Sequence, residues 1–185
     1  MSKRKRTNRI IADHGDWLEI DISTPKHPEA VMKIDKADWD SIKSLGAGRV
    51  FACDVVRGLY AYAYVWPGGK LQIVHRLLMV DKSKVIDHIN HETLDNRRSN
   101  TRECTQSQNK QNSRVYTNNK SGCAGVHRQR VGGKWIARVK LDGKFKYIGI
   151  FDDISDAISA RKKAERKFYG EYSYEASMGA DEINV

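Results

Sequence analysis

The fold is decided by the stretch Val85-Ile86-Asp87-His88-Ile89-Asn90-His91, the loop Leu94-Asp95-Asn96-Arg97-Arg98-Ser99-Asn100-Thr101-Arg102, and the run Cys104-Thr105-Gln106-Ser107-Gln108-Asn109-Lys110-Gln111-Asn112. The pattern predicts two short extended pieces around a polar loop, followed by a helix that starts near Thr105. Asparagine and glutamine are poor residues for a helix interior, so their accumulation in the third stretch indicates a function that requires them.

Four residues of these stretches have the chemistry that phosphodiester hydrolysis requires. That reaction needs an oxygen-bound divalent cation to stabilise the leaving oxyanion and a base to deprotonate water. Asp87 offers a carboxylate and Asn109 an amide oxygen, and both are hard ligands that suit Mg²⁺. His88 can act as a general base near neutral pH, because an unperturbed histidine has a pKa of about 6.5. The Asn100 amide is expected to hold the loop backbone and the orientation of the histidine.

The use of Asp87 and His88 in one site sets a geometric condition. Neighbouring residues on a regular strand point to opposite faces. The two side chains therefore converge only if the strand ends or bulges at this point, as a loop that begins at Ile89 would allow.

Other polar residues near the motif are expected to have structural roles. Asp95 and Asn96 are predicted to shape the turn of the loop, and His91 is predicted to be a loop residue. His75 is near in sequence and is expected to lie outside the site.

These stretches resemble the HNH (ββα-metal) nuclease motif, and in particular that of phage-type HNH homing endonucleases. The signature residues fall at His88, Asn100 and Asn109, with 11 and then 8 intervening residues. The third signature position is asparagine instead of histidine, as occurs in the phage subgroup. The preceding His75-Arg76-Leu77-Leu78-Met79 also resembles the segment that leads into the motif in that subgroup.

The resemblance implies a role for each matched residue. Asp87 and Asn109 would be the metal ligands for Mg²⁺ or Mn²⁺, and His88 would be the general base. Asn100 would be the structural asparagine that completes the catalytic set with His88. Zinc is not expected, because the chain has three cysteines, Cys53, Cys104 and Cys123, with no CxxC pair among them.

A second module is predicted downstream as a three-stranded antiparallel meander with one helix packed across it. Asp142-Gly143 is a strong two-residue hairpin signal between two of its strands. The predicted elements are strands over 125–130, 134–141 and 144–151 and a helix that begins after Asp152-Asp153 and ends at Gly170. Gly125-Val126, Lys134-Trp135 and Ile148-Gly149-x-Phe151 resemble an AP2-type DNA-binding domain, which implies that the sheet reads duplex DNA.

The alternation along the strands predicts which face of this sheet is free. The core face is predicted to hold Trp135, Ala137, Val139, Ile148 and Ile150. The free face is predicted to hold Ile136, Arg138, Lys140, Phe145, Tyr147 and Gly149, with Lys144 and Lys146 at the edges. The phase of the first strand stays open between His127/Gln129 and Arg128/Arg130, although charge favours the arginines.

Candidate DNA-binding residues follow from this arrangement and from the loop of the first module. Arg97 and Arg98 either clamp phosphate or are solvated, and the sequence leaves both alternatives open. The full set of candidates is Arg97, Arg98, Arg128, Arg130, Arg138, Lys140, Lys144, Lys146 and Tyr147.

The N-terminal part of the chain has weaker signals. A helix is predicted over Asp35–Ile42, with Asp35 or Asp38 as its cap. Strands are predicted over Arg57–Val65 and Lys70–Val74. Tyr60, Tyr62 and Tyr64 would share one strand face.

Composition agrees with a nucleic-acid partner. The 185 residues include 33 Lys and Arg against 23 Asp and Glu, a formal net charge of +10. Residues 110–170 carry 15 of these basic residues against 5 acidic ones, which indicates a polyanion as partner. No stretch approaches the roughly 18 apolar residues of a membrane span. The N-terminus has no apolar signal core, so a cytoplasmic location is expected, in a bacterial host if the gene is a phage gene.

The sequence therefore predicts an α+β protein that nicks or cuts double-stranded DNA, with a monomer as the working assumption. The predicted divisions are 1–70, a nuclease-associated segment; 71–112, the HNH module; 113–121, a linker; 122–172, the AP2-like domain; and 173–185, an acidic tail. The alternative is a DNA-binding regulator with a non-catalytic HNH remnant, and an RNA-binding protein is less favoured because no single-strand stacking motif is recognisable.

Overall fold

The computed structural model describes residues 7–55, 58–65, 68–113, 115, 118–174 and 176, and the chain divides into two compact units, 1–103 and 104–185. The described residues form a mixed α+β fold with four α-helices and several small antiparallel sheets, which agrees with the predicted α+β class, while the ββα-metal module stays a prediction. Among them no helix has the length and apolar character that crossing a membrane requires.

The first unit consists of three small sheets and two short helices. Its elements are β1 (Ile10–Asp13), β2 (Trp17–Asp21), β3 (Val31–Asp35), α1 (Lys36–Ser44), β4 (Ala47–Val55), β5 (Gly58–Val65), β6 (Lys70–Ile73), α2 (Val74–Leu77), β7 (Val85–His88) and β8 (Thr101–Cys104), the last of which ends one residue into the second unit. The sheets have the orders β1-β2-β3, β4-β5-β6 and β7-β8. Alternate residues of β2 and β3 are buried, so these strands place their apolar side chains in the core of the unit.

The helix and the strands predicted for the N-terminal part are confirmed, with one correction at the cap. Asp35 occupies the N-cap position of α1, but its side chain makes no capping hydrogen bond. The Asp35 carboxylate instead accepts a hydrogen bond of 2.6 Å from the backbone N–H of Arg98. The predicted strand from Arg57 is described from Gly58 onward, since Arg57 lies outside the described residues.

The second unit contains the predicted meander and helix. Its elements are α3 (Gln106–Gln111), β9 (Val126–Arg128), β10 (Trp135–Leu141), β11 (Lys144–Phe151) and α4 (Ile154–Tyr169), followed by a short 3₁₀ turn at Gly170–Tyr172. The strands pair in the order β11-β10-β9, and all pairs are antiparallel. The helix α3 starts where predicted, because Thr105 and Gln108 form a reciprocal capping box.

Gly125 is required where the chain enters β9. Its φ is 81°, and a Cβ at this position would lie 2.2 Å from the carbonyl oxygen of Arg138. The carbonyl oxygen of Gly125 accepts a hydrogen bond of 2.9 Å from the backbone N–H of Arg138. A glycine therefore allows the entry of β9 to lie directly against β10.

The predicted linker is shorter at its C-terminal end than the sequence indicates. The Ser121 hydroxyl donates to the carbonyl of Val126 at 2.7 Å, and the Asn119 amide donates to the carbonyl of Cys123 at 3.2 Å. These residues are part of the turn that precedes β9. Residues 114, 116–117, 175 and 177–185 of the predicted linker and acidic tail lie outside the described residues.

Candidate active site and nucleic-acid interface

His88 is the last residue of β7, so the strand ends where it must end if Asp87 and His88 are to serve one site. The imidazole is 7% exposed, and its Nε2 lies 3.3 Å from Oδ1 of Asn96. The Asn96 amide nitrogen donates to the carbonyl of Leu94 at 3.3 Å, which directs the amide oxygen toward the histidine. An amide oxygen only accepts, so Nε2 carries the proton and Nδ1 is the basic nitrogen.

The surroundings of His88 keep the imidazole neutral. Burial lowers its pKa, while the hydrogen bond with Asn96 and the charges of Asp87 and Asp95 act in the opposite direction with smaller effect. A lowered pKa means that the unprotonated form predominates at neutral pH. This form is the one that can accept a proton from water.

Two further rings enclose His88, and one of them was expected outside the site. The centroid of the His75 ring lies 5.1 Å from that of His88, and the Tyr60 ring lies 5.7 Å from His75 and 6.2 Å from His88. Burial is the main cause that lowers the pKa of His75 to about 3, and the neighbouring His88 and Arg76 add smaller effects in the same direction. His75 is therefore a neutral neighbour of the candidate base. The resemblance of the segment from His75 to Met79 to the lead-in of the motif was the sequence signal that could have placed His75 near the site.

Asp87 is 5% exposed and is held by Arg102, a residue that the sequence did not single out. Nε and Nη2 of the guanidinium both donate to Oδ2 of the carboxylate, at 2.9 and 2.8 Å. The carboxylate is a hard oxygen donor beside a neutral histidine, which fits Mg²⁺ or Mn²⁺ chemically. The guanidinium competes with such a cation, because it neutralises the same charge.

The described residues contain no group of three or more His, Cys, Asp or Glu side chains that could hold a metal ion. A site built on Asp87 would therefore take its other ligands from amide oxygens, water or phosphate. Asn109, the other predicted ligand, lies half-buried on α3 and belongs to the second unit.

Asn100 ties together the two ends of the loop that follows β7. Its Oδ1 accepts from the N–H of Asn90 at 2.9 Å, and its Nδ2 donates to the carbonyl of Asp95 at 2.9 Å. Its own carbonyl accepts from the N–H of Ile89 at 2.8 Å. The geometry is that of a residue that positions the loop, and His91 with a φ of 64° lies in the same loop.

Arg97 and Arg98 both have acidic partners, and the Arg98 side chain is 77% exposed to solvent in its pair. Arg97 forms a two-pronged ion pair with the buried Asp95 and lies over the ring of Trp17 at 4.5 Å. Arg98 forms a similar pair with the buried Asp38 of α1. These contacts account for both guanidinium groups within the fold, and a contact with DNA stays a prediction.

In the second unit a β-bulge corrects the predicted faces of β11. Ala137 pairs with Gly149, but Arg138 pairs with Tyr147, so Ile148 is an extra residue in β11. Ile148 packs in the core as predicted. The prediction for Ile150 is wrong, because this residue is 44% exposed and pairs with Ile136 of the free face. Gly149, predicted to face outward, lies instead opposite the buried Ala137.

The pairing of β9 with β10 decides the phase that the sequence left open. Val126 pairs with Ala137 in the core, so His127, which pairs with Ile136, lies on the free face. The preference for the arginines is wrong, because Arg128 pairs with Trp135 on the helix side and donates to the carbonyl of Gly133 at 3.0 Å. Arg130 is exposed in the turn that follows.

The free face of this sheet combines exposed aromatic and basic side chains. Phe145 and Tyr147 are 59% and 61% exposed. The guanidinium carbon of Arg138 lies 4.1 Å, and the amine of Lys140 5.5 Å, from the centroid of the Phe145 ring. Lys146 lies on the other side, because it pairs with the buried Val139 and its amine lies over the ring of Phe168 at 4.4 Å.

No family model, no curated protein and no solved structure matches the chain.

Proposed function

We propose that the protein is a DNA endonuclease of the HNH type that depends on a divalent cation. The observation that carries this proposal is the environment of His88. The imidazole is buried and neutral, lies at the end of a strand and directs its protonated nitrogen toward Asn96. The adjacent residue, Asp87, supplies a carboxylate. A histidine in this state is suited to general-base catalysis.

In the proposed reaction Nδ1 of His88 takes a proton from water as the water oxygen attacks the phosphorus of a phosphodiester, and the bond between phosphorus and the leaving oxygen breaks. The hydrogen bond from Nε2 to Asn96 holds the imidazole in the required tautomer while positive charge develops on the ring. Asn100 fixes the loop that carries Asn96 through its contacts with Asn90 and Asp95. When bound at Asp87, Mg²⁺ or Mn²⁺ would supply electrostatic stabilisation of the leaving oxygen. The ligand role of Asn109 stays a prediction.

Double-stranded DNA is the proposed substrate, and the free face of the second unit is the proposed anchor. Arg138 and Lys140 supply positive charge beside the exposed rings of Phe145 and Tyr147. A small sheet of this kind fits the major groove, where arginine and lysine reach base edges or phosphates. The excess of basic over acidic residues within residues 110–170 supports DNA as the partner.

One observation favours a second candidate function. The ion pair between Arg102 and Asp87 occupies the carboxylate that a cation would need. A DNA-binding regulator with a non-catalytic HNH remnant would keep this pair permanently. The two candidates differ in whether the purified protein cleaves DNA.

Incubation of supercoiled plasmid with the protein and Mg²⁺ tests the proposal. The protein should convert the plasmid to nicked or linear forms, and EDTA should stop the reaction. His88→Ala should reduce the rate by about 10²–10⁴-fold, which is the usual contribution of a general base. DNA affinity should stay within a few-fold, because the base is not needed for docking. His27→Ala, which removes a histidine paired with Asp54, is the matched control and should cleave normally. Cleavage by His88→Ala at the rate of the control would refute the assignment.

A further inference from the structure

Arg102 forms an ion pair with Asp87, the candidate metal ligand. The Arg102 side chain is 13% exposed and that of Asp87 is 6% exposed, so the ion pair is largely shielded from water. In the pair between Arg98 and Asp38 the arginine is 77% exposed. Arg102 therefore places a largely buried positive charge beside Asp87, where a divalent cation is proposed to bind.

A guanidinium and a divalent cation cannot both have the full benefit of one carboxylate. The two positive groups repel each other, and both guanidinium N–H groups converge on a single carboxylate oxygen, Oδ2. Binding of the cation at Asp87 therefore weakens the ion pair of Arg102. A buried guanidinium that shares its carboxylate with a cation is stabilised by a second anion, since a buried charge with weakened pairing is costly.

The substrate supplies such an anion at this place. A phosphodiester is singly charged and has two oxygens that match the planar fork of an arginine. Exchange of Asp87 for phosphate keeps every charge paired: Asp87 with the cation, and Arg102 with the DNA. The exchange is favourable only when cation and DNA are both present, so each should strengthen the binding of the other.

We propose that Arg102 is a phosphate-binding residue of the active site, released from Asp87 when a divalent cation binds there. The proposal rests on the proposed nuclease function and goes beyond it, because it assigns a residue to the substrate and couples the two ligands. In the cation-free protein the same residue keeps Asp87 neutralised.

The coupling is measured by titrating the full-length protein with Mn²⁺ alone and with saturating short duplex DNA, with free Mn²⁺ followed by electron paramagnetic resonance. A His88→Ala background keeps the duplex intact. The duplex should tighten Mn²⁺ binding about tenfold, within the usual range of coupling between sites. Arg102→Gln should bind Mn²⁺ about tenfold more tightly without DNA, a difference of about 1.4 kcal/mol, and the duplex should then tighten Mn²⁺ binding by less than it does when Arg102 is present.

Two further variants make the test decisive. Arg102→Lys keeps the charge and loses the fork, so Mn²⁺ affinity without DNA should stay near the starting value while the effect of the duplex falls. This variant decides the matter if circular dichroism shows that Arg102→Gln does not fold. Lys36→Gln removes a positive charge from an exposed ion pair with Asp13 and should change neither quantity.

The outcomes separate this inference from the proposed function. If the wild-type protein cleaves plasmid but the Arg102 variants keep its Mn²⁺ affinity and its duplex effect, the exchange is wrong and the nuclease assignment stands. If the wild-type protein does not cleave DNA with any of the divalent cations tested, the nuclease assignment fails, and the exchange fails with it.

Discussion

Replacement of Asn96 by leucine should separate the orientation of the candidate base from its basicity. Asn96 is fully buried, and leucine has a similar volume, so the change removes the hydrogen-bond acceptor with little change in packing. The Nε2–H of His88 then loses the partner that lies 3.3 Å away. The imidazole is free to rotate or to move its proton to Nδ1, which would block the basic nitrogen.

The size of the effect follows from this single contact. A buried donor left without its acceptor costs about 1–3 kcal/mol. If the bond contributes that amount to holding the reactive tautomer, kcat should fall by roughly 5–150-fold, since about 1.4 kcal/mol corresponds to a factor of ten. The loss should stay smaller than that of His88→Ala, which removes the base itself.

The dependence of the rate on pH distinguishes a loss of imidazole orientation from a change in imidazole basicity. The hydrogen bond to Asn96 raises the pKa of His88 against the larger lowering by burial, so its loss should lower the pKa further. The acidic limb of kcat/KM should then move to lower pH, and a higher pH should not restore the rate. Plasmid nicking at DNA concentrations below and above KM, from acidic to alkaline buffer, measures both quantities.

A control shows whether the loss is specific. Asn8 also holds backbone groups of the first unit, with its amide 2.7 Å from the carbonyls of Asp21 and Val50. Asn8→Leu should lower thermal stability and leave kcat unchanged in protein that is still folded. A kcat for Asn96→Leu within twofold of wild type, or full recovery of the rate at high pH, would refute the positioning role.

Further predictions concern stability and DNA affinity. Gly125→Ala should lower the free energy of unfolding by about 2 kcal/mol or more in urea titrations, because it combines a positive φ with a contact on the Arg138 carbonyl. Ile148→Ala should cost about 2 kcal/mol and Ile150→Ala about 0.5 kcal/mol or less, and equal costs would contradict the bulge. Stability should fall as the pH drops below about 6.5, because the pKa of His75 is about 3 in the folded protein and ordinary in the unfolded chain; His75→Leu should flatten this loss. Arg138→Ala should weaken duplex binding in gel shifts, and a salt dependence reduced by about one unit of log–log slope would indicate a phosphate contact, whereas changed sequence preference would indicate a base contact.

The sequence by itself determined the elements whose causes are local. The capping residues Thr105 and Gln108 lie three positions apart and start α3 where they were expected to. Asp142 and Gly143 have φ of 46° and 81°, as the two-residue hairpin between β10 and β11 requires. Each of these signals is contained in a few consecutive residues, so no distant partner can change it.

Only the tertiary structure decided which distant residues meet. His75, Asn96 and Arg102 lie 13, 8 and 15 residues from the side chains they contact or pair with, and nothing in their own identity names those partners. The faces of the sheet depended on register in the same way. One extra residue at Ile148 moved Ile150 from the core to the surface, since side chains alternate with a period of two and a shift of one residue reverses every face beyond it.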